Sequence, residues 1–264
     1  MAIANDSNLQ DGTQAKFPSQ TNWTQIVAAG GPSASPETRE ALNQLCRIYW
    51  FPLYAFIRRA GYDCHKAKDL TQGFFEHLLE TDLIMKASRE KGRFRSFLLA
   101  SLTNFLEDER RRGIAQKRGR DFSMVSIDEI EAEEKYEHLP SREADAAMVF
   151  DRTWAATVIE QVHQSLRREY IDKERLDVYE AVKGSLTGDL SPDSYAEVAA
   201  RLGMTKQTLE VNLSRFRRSF GEWVRTIIAQ TVADPAEIDD EIRYLMAAWA
   251  GYLEQKQGEP SGSG

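Results

Sequence analysis

SYAEVAARLGMTKQTLEVNLSRFRRS, residues 194–219, predicts two helices joined by a short turn. The first helix ends at Gly203, because glycine readily adopts the left-handed conformation that closes a helix. Thr205 is a suitable cap for the second helix, in which apolar residues such as Leu209 and Phe216 recur at helical spacing. This pattern is typical of a helix-turn-helix, whose second helix enters the major groove of DNA. A helical hairpin with a hydrated basic face gives the same pattern, so both interpretations stand at this point.

The rest of the chain also predicts helices. Ser35 and Pro36 form a typical helix start, and Asp63 begins another helix. Further helices are expected from about 93 to 112, from about 143 to 170 and from 172 to 183, and Pro235 opens a last amphipathic helix. Almost no segment alternates apolar and polar residues with period two, so the sequence predicts an all-α fold.

Changes in composition divide the chain into two helical domains joined by a flexible linker, with the helix-turn-helix in the second domain. The linker is recognised by a basic run that turns abruptly acidic between residues 110 and 137. The predicted segments are a disordered N-terminus (1–20), a first domain (21–112), a charged linker (113–142), a second domain (143–232), an acidic C-terminal helix (233–256) and a disordered tail (257–264).

Charge is distributed unevenly along the chain. The formal net charge is −7, which by itself argues against a nucleic-acid partner. Residues 1–120, however, hold 18 basic residues against 13 acidic ones, and residues 194–225 hold six against three. Nucleic-acid binding depends on the local electrostatic field rather than on the total charge, so two basic regions in an acidic chain remain compatible with it.

The composition excludes several other classes of protein. No apolar run approaches the ~18–20 residues needed to span a bilayer, and residues 1–16 lack the apolar core of a signal peptide. Cys46 and Cys64 are expected to be buried, reduced thiols in a cytoplasmic protein rather than a disulfide or a zinc site. The four histidines have no metal-ligand spacing, and no phosphate-binding glycine loop or catalytic pair is present. The sequence therefore predicts a protein without catalytic activity, bound metal or cofactor.

Three segments in this order resemble the extracytoplasmic-function sigma factors of bacterial RNA polymerase. YDCHKAKDLTQGFFEHLLE (62–80) is similar to the family's helix that docks on the clamp helices of the polymerase's largest subunit. FRSFLLASLTNFLEDERRR (94–112) is similar to its promoter-melting and minus-ten-reading segment. The helix-turn-helix resembles the family's minus-thirty-five reader, which also touches the flap of the second-largest subunit. The joint occurrence of these segments is more specific than any one of them.

The resemblance implies a set of contact residues for each partner. Those implied for polymerase binding are Asp69, Leu70, Gln72, Phe75 and Glu76. Those implied for minus-ten DNA and melting are Phe94, Arg95, Asn104, Asp108, Arg110, Arg111, Arg112, Lys117 and Arg118. Those implied for DNA binding by the helix-turn-helix are Thr205, Lys206, Gln207, Thr208, Asn212, Arg215 and Arg218. The resemblance also implies that an anti-sigma factor or another regulatory protein is a candidate partner.

Opening the promoter duplex requires no covalent chemistry from the protein. Unpairing stacked bases costs on average about 1.4 kcal/mol per step. A protein without ATP can only bind the single strand better than the duplex, with aromatic rings for bases and cations for phosphates. Phe94 and the basic run from Arg110 suit that task, whereas Phe97 and Phe105 fit a buried stripe of the helix better.

The chain departs from the family pattern at two places. Gly73 occupies a position where the family generally has an acid. Glu210, Val211 and Asn212 occupy positions where the family often has a basic residue, a small residue and an arginine. Either the upstream promoter sequence is unusual or this helix contributes little to reading sequence. Two other functions therefore stay open: a polymerase adaptor targeted by another protein, and a helix-turn-helix regulator independent of polymerase.

Two acidic segments have roles that the sequence leaves open. The acidic run at 128–137 is either a solvated segment or a mimic of nucleic acid in the polymerase's RNA-exit path. The last helix, at about 235–253, is expected to pack on its own domain rather than bind a partner.

Overall fold

The computed structural model describes residues 36–80, 93–112, 129–139, 144–187, 191, 194–232 and 234–258. Every regular element in these ranges is helical, which confirms the all-α prediction for this part of the chain. The nine α-helices described are α1 (Pro36–Arg59), α2 (Cys64–Glu80), α3 (Phe94–Arg112), α4 (Glu129–Glu137), α5 (Ala146–Asp172), α6 (Leu176–Val182), α7 (Tyr195–Arg201), α8 (Lys206–Ala229) and α9 (Ile238–Gly258). Short 3₁₀ helices occupy Lys183–Leu186 and Pro235–Glu237.

Helix starts follow the capping residues that the sequence offers. Helix α1 occupies Pro36–Arg59, and Ser35, its predicted cap, lies outside the described residues. The backbone N–H of Lys66 donates to Asp63 Oδ1 at 2.8 Å, at the start of α2. The backbone N–H of Met148 donates to Asp145 Oδ1 at 2.7 Å, so α5 begins a few residues later than expected. Each side-chain acceptor satisfies an N–H that has no partner within its helix.

Helix α5 is the central element of the fold. It packs most extensively on α1 and also contacts α8 and α9. Its inward face, including Phe150, Trp154 and Val158, has no exposed surface. These residues belong to one continuous apolar cluster that runs from Leu45 in α1 to Leu245 in α9. Helices from both predicted domains share this cluster, so their separation into two domains is not confirmed.

The predicted linker and tail contain helical residues. Helix α4 lies within the segment 113–142, and Ala132 in this helix is fully buried. Helix α9 extends to Gly258, which corrects the boundary predicted for a disordered tail at 257. The prediction for residues 1–20 lies outside the described residues.

The two cysteines differ in their surroundings. Both are free thiols, but Cys46 is buried and Cys64 is half-buried. Burial raises the pKa of Cys46 from 9.0 to about 12, which keeps this thiol protonated and unreactive. No helix among the described residues is long and apolar enough to cross a membrane.

His163 is expected to make the fold less stable below neutral pH. Its Nδ1 lies 3.2 Å from the Tyr179 hydroxyl, and its ring centre lies 5.8 Å from that of Phe220. Burial, and then the charge of Lys183, lower the pKa of His163 from 6.5. As the pH falls below 6.5, the unfolded chain takes up a proton at His163 before the folded protein does. The stabilisation that neutral His163 provides above pH 6.5 is therefore lost between pH 6.5 and the lowered pKa of the folded protein.

Urea unfolding at roughly pH 7.5 and 5.5 measures this effect. The wild-type protein should lose more stability between the two pH values than the variant His163→Gln, whose side chain does not titrate. Equal losses in both proteins would show that His163 does not contribute.

Candidate nucleic-acid interface

Helix α3 presents its carboxyl-terminal half to solvent. Apolar residues Leu98 and Leu102 are buried, whereas Asn104, Asp108 and Arg110 are exposed. The Arg111 side chain is 73% exposed, and its ion pairs with described residues are local ones, at 3.4 Å with Glu107 and 3.8 Å with Asp108. Arginines at the end of a helix favour its dipole and remain available for phosphate oxygens. This end of α3 is therefore a candidate surface for the nucleic-acid backbone.

The start of α3 is buried, which corrects two of the predicted DNA contacts. Phe94 is 4% exposed and packs edge-on against Tyr49 of α1, with ring centres 5.5 Å apart. Arg95 is 6% exposed, and it binds Glu241 of α9 at 3.1 Å and Asp151 of α5 at 2.8 Å. Neither side chain can reach DNA in this conformation.

The remaining cations of the predicted set cannot be placed. Lys117 and Arg118 lie outside the described residues, as does the side chain of Arg112. Phe97 and Phe105, the two aromatic residues predicted for the buried stripe of this helix, are half-buried and pack against the core. Phe105 lies with its ring centre 5.6 Å from that of Phe74 in α2. The prediction that these two rings face the core is therefore confirmed, although each ring is only half-buried.

Helix α2 carries a polar edge above a buried apolar face. Asp69 and Gln72 are exposed, Glu76 is half-exposed, and Gln72 Nε2 donates to Glu76 Oε1 at 3.1 Å. Leu70 is 3% and Phe75 4% exposed, so these two predicted polymerase contacts face the core instead. Their role is to hold the helix in place, because apolar residues at this spacing form the inward stripe. The candidate docking surface is reduced to the three polar residues.

Gly73 lies on α2 opposite the aromatic residues of α3. A Cβ at this position would meet Phe105 Cζ at 3.7 Å, an ordinary van der Waals distance. Glycine within a helix costs about 1 kcal/mol relative to alanine, so Gly73→Ala should raise the free energy of unfolding by about 0.5–1 kcal/mol. Urea denaturation measures the change. Gly221→Ala in α8, where a Cβ meets nothing within 4 Å, is the matched control.

Helices α7 and α8 contact each other across a turn that follows the predicted pattern. Gly203 has a φ of +64°, which glycine adopts without strain. The backbone N–H of Thr208 donates to Thr205 Oγ1 at 3.1 Å, and this confirms Thr205 as the cap of α8. The predicted DNA contacts that the structure exposes here are Thr205, Lys206, Gln207, Thr208, Arg215 and Arg218.

Asn212 is a further correction, because it is 4% exposed and cannot reach a base. Its Oδ1 accepts a hydrogen bond from Arg175 at 3.2 Å, and its Nδ2 donates to Met204 Sδ at 3.5 Å. Asn212 therefore ties α8 to the preceding turn and to the loop before α6. Val211, in contrast, is 45% exposed on the outer face, next to exposed Glu210.

Helix α4 shows what one part of the acidic linker does. Arg58 Nε donates to Glu133 Oε2 at 2.9 Å, and the Tyr54 hydroxyl donates to the same oxygen. The guanidinium of Arg58 also lies 4.8 Å from the ring centre of Tyr136. The hydrogen bond from Arg58 lowers the pKa of Glu133. Of the acidic residues of α4, Glu133 is thus engaged by α1, whereas Glu134 remains exposed.

Sequence reasoning missed both ion-paired contacts, because each joins residues far apart in the chain. Glu133 is 75 residues from Arg58, and Glu241 is 146 residues from Arg95. No local spacing identifies such partners.

No family model, curated protein or solved structure gives a significant match to the chain.

Proposed function

We propose that this protein is a transcription initiation factor of the sigma class, which binds core RNA polymerase and directs initiation at a promoter. Helix α2 docks on the polymerase through Asp69, Gln72 and Glu76. The end of α3 follows the opened strand, and α7 and α8 form a helix-turn-helix on upstream duplex. The protein makes and breaks no covalent bond itself, because the polymerase carries the chemistry.

The observation that carries the proposal is the exposure of cations on α3 and α8 in an acidic chain. Arg110 and Arg111 stand at the end of α3, and Lys206, Arg215 and Arg218 stand along α8. The Arg218 side chain is 82% exposed, and its ion pair within the described part of the chain is with Glu222, one turn away. Exposed arginines of this kind add little to folding but bind phosphate well.

A polymerase adaptor is the second candidate, and the outer face of α8 favours it. Glu210 repels phosphate, and the burial of Asn212 removes one of the side chains able to read an adenine. Lys206 and Gln207 at the start of α8 remain for base contacts. An adaptor would bind polymerase normally but would leave promoter choice to another protein.

Reconstitution with bacterial core polymerase on a pool of genomic fragments separates these functions. The sigma proposal expects selective enrichment of fragments with one shared element and permanganate-reactive thymines near the start site. Polymerase binding without selective opening would support the adaptor. Tight duplex binding by the chain alone, unchanged by polymerase, would support an independent regulator and contradict the proposal.

A further inference from the structure

A buried ion cluster joins the start of α3 to α5 and α9. We define the ion cluster as Arg93, Arg95, Asp151, Glu241 and Tyr244. Arg95 binds one carboxylate on each side, and Arg93 Nε lies 3.2 Å from the second oxygen of Glu241. The Tyr244 hydroxyl donates to Asp151 Oδ2 at 2.6 Å, and its ring centre lies 3.8 Å from the guanidinium of Arg95.

Arg95 and Glu241, the central pair of the cluster, are almost completely buried from solvent. The side chains of Arg95 and Glu241 are 7% and 2% exposed. Burial alone would lower the pKa of Arg95, but the charge and hydrogen bond of Glu241 raise it above its usual value. Arg95 is therefore charged in this conformation, and Arg95 and Glu241 depend on each other for their burial.

We propose that the ion cluster holds a closed form of the protein, in which α9 withholds the start of α3 from DNA until the cluster separates. This inference rests on the proposed function, since it concerns regulation of the same DNA-binding helix. Glu241 supplies the guanidinium of Arg95 with the anionic partner that a phosphate oxygen would otherwise provide. Phe94, the neighbouring residue, is buried against Tyr49 of α1 rather than by α9, so the proposal concerns the release of Arg95.

The physical character of the cluster suits a contact that opens and closes. When an apolar contact separates, hydration of the exposed groups gives no favourable free energy. When an ion pair separates, both charged groups are hydrated again, and this hydration offsets part of the cost of opening. A carboxylate held on the same chain competes with DNA at a high effective concentration. A nucleic acid bound together with the polymerase can displace it, because many phosphates then act on α3 and the following basic run.

Glu241→Gln is the sharpest variant, since it removes the charge and preserves the size of the side chain. Asp240→Asn is its matched control: it makes the same charge change on the adjacent residue, whose side chain is 53% exposed and pairs with Arg243. Tyr244→Phe is a milder second variant, which removes the hydroxyl that donates to Asp151 and keeps the ring over Arg95. Circular dichroism establishes that each variant is folded.

Opening is measured directly by the distance between nitroxide labels at Ser96 in α3 and Ala247 in α9, both exposed. Cys64 is replaced by serine, while the buried Cys46 does not react. We expect a longer distance in Glu241→Gln than in Asp240→Asn, together with at least about fivefold tighter binding of a single-stranded promoter oligonucleotide. Tyr244→Phe should change both quantities in the same direction but less.

Two results overturn the proposal. In the first, the distance distributions of Glu241→Gln and Tyr244→Phe coincide with that of Asp240→Asn. In the second, the labels separate but the affinity for the single strand does not rise. Failure of the proposed function gives a different result: the wild-type chain and every variant then fail to bind core polymerase, whatever distance the labels report.

Discussion

Replacing Trp154 with alanine is expected to lower the free energy of unfolding by about 3–5 kcal/mol. Trp154 has no exposed surface and lies on the inward face of α5. The truncation removes a large buried ring and leaves a cavity that the neighbouring helices fill only in part. A loss of this size is a large fraction of the 5–15 kcal/mol by which domains are usually stable.

The position of Trp154 also predicts how the protein unfolds. Helix α5 packs on α1, α8 and α9. We therefore expect a single transition that moves as a whole in Trp154→Ala, followed by circular dichroism in urea. Trp223→Ala, at a half-buried position, should cost less. Two transitions, of which only one moves, would instead support independent domains.

The double variant Arg110→Ala/Arg111→Ala is expected to reduce promoter opening by at least about tenfold, assayed in the presence of core polymerase. The slope of log K against log salt is negative, and each lost phosphate contact reduces its magnitude by about 0.7–0.9, so the magnitude should fall by about 1.4–1.8 in the double variant. Permanganate reactivity of the melted region measures opening, and filter binding at several salt concentrations measures the slope.

Arg167→Ala/Arg168→Ala is the matched control for this prediction. These two adjacent arginines are exposed on α5, so the variant makes the same change in net charge at another place. It should leave the opening and the salt slope close to wild type. An equal loss in both double variants would mean that total charge, and not the end of α3, governs DNA binding.

Local features of the fold could be predicted from the sequence because they depend on near neighbours. Thr205 and Gly203 fix the turn before α8 through backbone geometry and one hydrogen bond. Asn212 is predicted to contact DNA, but its spacing in the sequence already indicates a buried position. It follows Leu209 by three positions and precedes Phe216 by four, which places it on the inward face.

The contacts between distant helices could not be predicted in the same way. Glu133 lies in a run of similar acids, and only the three-dimensional packing of α4 shows which one meets Arg58. Arg95 belongs to a basic segment that resembles a DNA-binding sequence, yet its position beside Asp151 and Glu241 gives it a different partner. Burial, more than residue type, decides which predicted contacts remain available.

Association with bacterial core polymerase tests the central claim most directly. The purified chain should co-elute with core enzyme in size-exclusion chromatography, and so should Asp172→Arg, which alters an exposed acid at the end of α5. Asp69→Arg on the polar edge of α2 should weaken the association by at least about tenfold, because it places a cation at the docking surface. Failure of the wild-type chain to co-elute, or unchanged binding by Asp69→Arg, would contradict the account.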